Sequence, residues 1–165
     1  MKAYMAISCK VGYFNRVLDE LIKMGLTKKD VFLLFGPLDI LVQFNSLFSL
    51  DDFIKNWFDP IRKITEQEPM IEKTQTYLVI SEGKPFNEEP YAFLFLNSQP
   101  RNLEEVQQKL QKVPQVLSAD TVFGPYDLIC AVKASDRADL QELVAKVEQI
   151  SGIQDTVTEI VASMY

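Results

Sequence analysis

The chain has 165 residues, with 17 basic and 23 acidic side chains, a formal net charge of −6, two cysteines and no histidine. Its length and an apolar share of 47% allow a sizeable core in one large or two small domains. With no histidine, His-based triads are not expected, with two cysteines and no histidine neither a zinc centre nor a disulfide framework is, and the acidic balance without a basic stripe disfavours grip on a nucleic-acid backbone.

Along the chain, "MKAYMAISCK" (1–10) lacks the apolar length and the cleavage site of a signal peptide. No run approaches the roughly 20 apolar residues of a membrane span, so the cytoplasm is the expected location. "YMAIS" (4–8) reads as a strand, and "LDELIKMG" (18–25) as a helix closed by Gly25. "VFLLF" (31–35) and "DILVQF" (39–44) are strands joined through Gly36-Pro37. The next helix opens at Ser49, with Asp52 three residues on as a capping partner. Pro60 interrupts "FIKNWFDPIRKI" (53–64), where a kink or break is expected. "IEKTQT" (71–76) is a strand, and "SEGKPFNEEP" (81–90) a linker.

The second half begins with the strand "YAFLFL" (91–96). Leu103, Val106, Leu110 and Val113 follow helical spacing between Asn102 and Pro114. "VLSADTVF" (116–123) leads through Gly124-Pro125 into "YDLICAV" (126–132). A second helical stripe, Leu140, Leu143, Val144, Val147 and Ile150, is bounded by Ser135 as N-cap and Gly152 as stop. "IQDTVTEIVAS" (153–163) is the last strand. Cys9 and Cys130 lie in apolar runs and read as buried thiols, and Phe35, Phe123, Trp57 and Phe58 as core or interface aromatics.

"FGPLDILVQF" (35–44) and "FGPYDLICAV" (123–132) carry the same tetrad 88 residues apart. That offset lays "YMAIS" on "AFLFL" (92–96), and Leu18 and Ile22 on Val106 and Leu110. The last strands match at an offset of 82, which puts six extra residues in the first copy near Pro60. The expected fold is α+β: two tandem βαββαβ ferredoxin-like units of the α/β-plait, dimeric alpha-beta barrel type, each with a four-stranded antiparallel sheet. They occupy residues 1–80 and 91–165, with 81–90 between them. Strands this apolar must be covered on both faces, by helices on one and a second sheet on the other. That sheet belongs to the sister unit or to another chain, and a multimer of two-unit chains is expected.

The βαββαβ pattern, with a G-x-Y-D turn opening its third strand and T-x-T in its fourth, resembles the effector-binding domain, or RAM domain, of the Lrp/AsnC transcription regulators. "FGPYDLICAV" with "IQDTVTEIV" carries the resemblance over 90–164. "FGPLDILVQF" with "IEKTQTYLV" carries it more weakly over 3–80, with leucine in place of tyrosine. Members normally carry an N-terminal helix-turn-helix, whereas this chain starts at the first strand. The resemblance implies ligand-binding positions Gly124, Tyr126, Asp127, Thr156 and Thr158, and in the first copy Gly36, Leu38, Asp39, Thr74 and Thr76. It also implies self-association into dimers or higher oligomers and a small effector, usually an amino acid.

Such a zwitterion needs an acceptor for its ammonium and donors for its carboxylate. Asp127 supplies the first, and backbone N–H groups near Gly124 and the two threonine hydroxyls the second. The residues alone leave a second reading open, in which Gly-Pro-x-Asp is a tight strand connection whose aspartate bonds nearby backbone N–H groups. Since Leu38 stands beside Asp39 where Tyr126 stands beside Asp127, the second pocket is expected to bind more tightly. The expected function is therefore a stand-alone, non-enzymatic Lrp/AsnC-type module that senses a small metabolite and acts through assembly in transcription regulation. No metal or cofactor is expected. Lrp/AsnC-type DNA-binding proteins are expected partners, with neither nucleic acid nor membrane bound directly. The alternatives are an assembly partner with vestigial pockets, or a cofactor-free enzyme using Tyr126 and Asp127.

Overall fold

The computed structural model describes residues 1–162; Ser163, the end of the expected last strand, and the final positions of the expected second unit lie outside the described residues. Two units are distinguished, Met1–Tyr77 joined by Ala162, and Leu78–Val161. The first runs β1 (Ala3–Cys9), α1 (Phe14–Lys23), β2 (Val31–Phe35), β3 (Ile40–Phe44), α2 (Leu50–Phe53), a π-helical segment (Ile54–Phe58), α3 (Asp59–Gln67) and β4 (Ile71–Ser81). The boundary between units falls inside β4, after Tyr77. The second unit runs β5 (Ala92–Ser98), a 3-10 turn (Pro100–Asn102), α4 (Leu103–Gln111), β6 (Val116–Phe123), β7 (Leu128–Val132), α5 (Arg137–Glu148) and β8 (Ile153–Val161).

Each unit thus mixes helices with antiparallel strands in the order β-α-β-β-α-β, consistent with a ferredoxin-like fold. In the first unit β3 lies between β1 and β2. In the second the order is β8-β5-β7-β6, and Leu78–Ser81 pair alongside β6. Strand alternation explains the burial. Ala92, Leu94 and Leu96 of β5 pack with Val106 and Leu110 of α4 and with Leu143 and Val147 of α5. Phe93 and Phe95 point to the opposite face and are also fully buried. The apolar strands therefore lose water on both faces.

The register corrects the internal alignment. Ala3 pairs with Phe44 and Ala92 with Val132, so Ala3, not Tyr4, is the counterpart of Ala92. In α1, likewise, Val17 and Leu21 are buried as Val106 and Leu110 are in α4, while Ile22 is 46% exposed. The β1–α1 half is therefore displaced by one residue from the expected superposition. A one-residue slip exchanges the two faces of a strand, so the difference decides which side chains enter the core.

Several local expectations are met. Gly25 has φ 96° and ends α1, its N–H donating to Ile22 O at 3.0 Å. Ser49 caps α2 by accepting from Asp52 N at 3.1 Å, and Asp52 returns the bond by accepting from Phe48 N. The cap of α5 is Asp136 rather than Ser135: its Oδ1 accepts from Asp139 N at 2.8 Å, while Ser135 N donates to Asp139 Oδ2. Extended Asp136 is the residue whose side chain reaches the third N–H of the helix.

Pro60 does not break its helix. Backbone from Leu50 to Gln67 stays helical, and the turn before the proline is widened, with Asp59 N donating to Ile54 O five residues back. The wider turn removes the clash between the proline ring and the carbonyl four residues earlier. It also lets Phe53, Trp57 and Phe58 gather near Phe44, with Phe44–Phe53 ring centroids 5.2 Å apart and Phe44–Trp57 5.3 Å. This helical run is six residues longer than the twelve-residue α5, which accounts for the six extra residues of the first unit.

Phe35 and Phe123 are not core residues: they are 64% and 71% exposed. Each is the last residue of its strand, and the chain turns away before either can be covered. Cys9 is half-buried and Cys130 fully buried. The expected linker is partly tied down, because Gly83 N donates to Asp120 Oδ1 at 2.7 Å and Lys84 Nζ to Gln111 O at 2.7 Å. At Gly83 a Cβ would lie 2.5 Å from Ala119 O, so glycine there permits a close backbone approach. Among the described residues, no helix is long and apolar enough to cross a membrane.

Candidate functional site

The Gly-Pro-x-Asp turns occupy equivalent places in the two units and are built by the same hydrogen bonds. In the second unit Asp127 N donates to Leu96 O at 2.9 Å, Val122 N donates to Asp127 O at 2.9 Å, and Ser98 N donates to Asp127 Oδ2 at 3.0 Å. In the first, Asp39 N donates to Ile7 O at 3.0 Å, Leu34 N to Asp39 O at 2.9 Å, and Cys9 N to Asp39 Oδ2 at 2.7 Å. Each aspartate stitches the β-turn to the end of the unit's first strand. A carboxylate holding a partly buried N–H makes a charge-assisted bond, the stronger kind. The local reading of the motif therefore accounts for one oxygen of each carboxylate.

Gly124 and Gly36 sit exposed at the turn tips, with Tyr126 and Leu38 half-buried beside them. The Tyr126 ring packs edge-on against Phe95, centroids 5.8 Å apart. Phe95 lies on the sheet face opposite Leu94 and Leu96, so Tyr126 leans onto that face.

The T-x-T threonines lie on the other side. Thr156 pairs with Leu96 and Thr158 with Leu94, both on the helix-packed face of β5. Thr156 Oγ1 donates to Glu148 Oε1 at the end of α5, at 2.7 Å. Thr156 and Asp127 flank the same end of β5, two strand spacings or roughly 9.5 Å apart. Tyr126 and the threonines are thus at one end of the sheet but on opposite faces. The five second-unit residues do not converge on one pocket as arranged.

Instead, a cleft opens in each unit where its last helix meets its last strand. In the second unit it has a volume of about 350 Å³ and is lined by Glu148, Ile153, Gln154, Asp155 and Thr156. In the first it is larger, about 480 Å³, between α3 and the start of β4, and it includes Thr74. Thr76 shares the strand face of Thr74 by alternation, while Gln75 on the opposite face accepts from Tyr77 Oη at 3.0 Å. Glu148 and Phe95 were not singled out from the sequence. The packing stripe of α5 marks Val144 and Val147 but carries no signal for the charged residue after them, and Phe95 is one of several apolar residues in an unbroken run.

Beside the first turn, burial pushes the Cys9 thiol up to about 12, with the Asp39 carboxylate adding to the shift. Burial and the charge of Asp120 push Cys130 up as well. Neither cysteine is a ready nucleophile. At about pH 8.5, where an ordinary cysteine is half ionised, labelling by a thiol-specific disulfide reagent is expected to be much slower in the folded protein than in urea. Equal rates would show that Asp39 and its surroundings do not hold Cys9 protonated.

Residues 91–165 match the family model of the Lrp/AsnC ligand binding domain. Over 74 residues the chain is 30% identical to an uncharacterized HTH-type transcriptional regulator of Pyrococcus abyssi and to another of Pyrococcus horikoshii, covering 44% of this chain and 47% of each of theirs. The chain thus spans about half the length of the curated relatives it matches. Among solved structures, a siroheme decarboxylase in complex with an iron-uroporphyrin III analogue aligns with 98% of this chain and 71% of its own, at a TM-score of 0.58 and 7% identity. At that identity the likeness is one of fold alone.

Proposed function

We propose that the chain is a ligand-binding regulatory module of the Lrp/AsnC type, in which a second, divergent copy of the domain precedes the matched one. The carrying observation is the match of residues 91–165 to the Lrp/AsnC ligand binding domain, a stretch that contains the Gly124-Pro125-Tyr126-Asp127 turn and the Thr156–Thr158 strand. The HTH-type regulators among the relatives support a place in transcription regulation. In this reading the module senses an amino acid or a similar metabolite, signals by changing its assembly, and does not catalyse a reaction. It reaches DNA through helix-turn-helix partners rather than by itself.

The cleft beside Thr156 supplies acceptors for an ammonium group, Glu148 and Asp155, next to a hydroxyl. A thermal-shift screen across amino acids tests the reading, because a ligand that binds only the folded state raises the melting temperature. A hit is expected, and Thr156→Val should weaken it about tenfold, equivalent to about 1.4 kcal/mol. Light scattering with and without the hit should show a change in assembly. If no amino acid shifts the melt, the second reading gains: an assembly partner whose turns are purely structural. The Asp127 bond to Ser98 favours that reading.

A further inference from the structure

The two clefts differ in charge. Three cations, Arg62, Lys63 and Lys73, line the first-unit cleft together with three carboxylates, Asp59, Glu66 and Glu72. Two carboxylates and no cation line the second-unit cleft. Asp59, Arg62, Lys63 and Glu66 recur at helical spacing, so α3 presents them along one face toward the start of β4. Opposite charges this near one another would ordinarily pair, Arg62 with Glu66 above all. Among the described residues, however, neither Arg62, Lys63 nor Lys73 makes an ion pair. Arg62 instead lies over the Phe58 ring, its guanidinium carbon 5.3 Å from the ring centroid. Such a cation–π contact holds the guanidinium against the ring without using its N–H donors, which stay free for a carboxylate.

We infer that the α3–β4 cleft of the first unit is a binding site for a small carboxylate-bearing molecule, gripped by Arg62 and Lys73 with the Thr74 hydroxyl beside them. The volume of about 480 Å³ falls in the range of small-molecule sites. The facing carboxylates disfavour a bare polyanion and accommodate a ligand that also carries an ammonium group. This inference rests on the reading of the chain as a ligand-binding module, and it gives the first-unit cleft cations for a carboxylate that the second-unit cleft lacks. The α3 face owes its placement to the widened turn before Pro60, which also supplies Phe58.

Calorimetric titration with succinate, L-glutamate and 1,4-diaminobutane, at low and high salt, tests the assignment. Glutamate is expected to bind more tightly than succinate, both more tightly than the diamine, and with affinity that falls as salt rises. Arg62→Gln and Lys73→Gln should each weaken glutamate roughly tenfold or more, the loss expected for a hydrogen bond to a charged group. Both side chains are exposed, so the variants should fold, which circular dichroism checks. Lys133→Gln, at an exposed position lining neither cleft, should leave this binding unchanged. Because succinate has no ammonium for the carboxylates of the second-unit cleft, loss of its binding in Arg62→Gln and Lys73→Gln is separable from failure of the amino-acid reading of that cleft. Three results would overturn the inference: no carboxylate binding in the millimolar range, unchanged affinity in both glutamine variants, or preference for the diamine.

Discussion

Phe95→Ala is expected to lower stability by about 3–5 kcal/mol, the range for truncating a buried phenylalanine. Phe95 has no exposed surface, lies on β5 between β7 and β8, and carries the ring of Tyr126. Its removal leaves a cavity on a strand held by ladders on both sides, which limits how far the backbone can collapse into it. Urea denaturation should show a large fall in the midpoint with little change in slope. The Tyr126 ring loses its platform, so the near-ultraviolet circular dichroism of the folded variant should weaken. A loss below about 1 kcal/mol would mean that the ring is not packed as described.

The second large effect is paired. Asp127→Ala and Asp39→Ala should each cost about 1.5–3 kcal/mol, the worth of a hydrogen bond to a charged group, because each strands a backbone N–H. The losses should be similar, since Asp127 holds Ser98 N as Asp39 holds Cys9 N. Asn in place of either aspartate keeps an acceptor and should recover part of the loss. The asymmetry the sequence leads one to expect, from Tyr126 beside Asp127 and Leu38 beside Asp39, concerns ligand affinity and not stability. If Asp127→Ala instead folded with unchanged stability and lost ligand affinity alone, its carboxylate would be serving the ligand and not the turn.

Much of the architecture was legible because it is written in local chemistry. Turn residues, apolar periodicity and caps marked the elements, and Gly25, Ser49 and Gly152 stand where the chain changes direction or state. The one-residue displacement of β1 and α1 was not legible. Leu18 and Ile22 fit a helical stripe as well as Val17 and Leu21 do, and only long-range packing decides which pair faces the sheet. The candidate site was half legible. The turn and the T-x-T strand lie at the same end of the sheet, as the motif suggests, but alternation puts Tyr126 and the threonine hydroxyls on opposite faces. Arg62 follows Phe58 by four residues, the spacing at which side chains meet on an α-helix, so that contact was open to periodicity; the widened, non-α turn just before it, between Ile54 and Asp59, was not.

That non-α turn has a consequence for how such a chain tolerates change in its length. In a regular helix, each inserted residue rotates the rest of the helix by about 100°, so an insertion carries the downstream apolar face away from the core. A π-type turn takes up an added residue within a single loop of the ladder and keeps the rotational phase of the downstream turns. Here Phe53 before the widened turn and Ile61 after it are both buried, at 1% and 0% exposure. The first unit has thus lengthened a helix without turning its back on the sheet, and the new surface so created is the stretch that carries Phe58, Arg62 and Lys63.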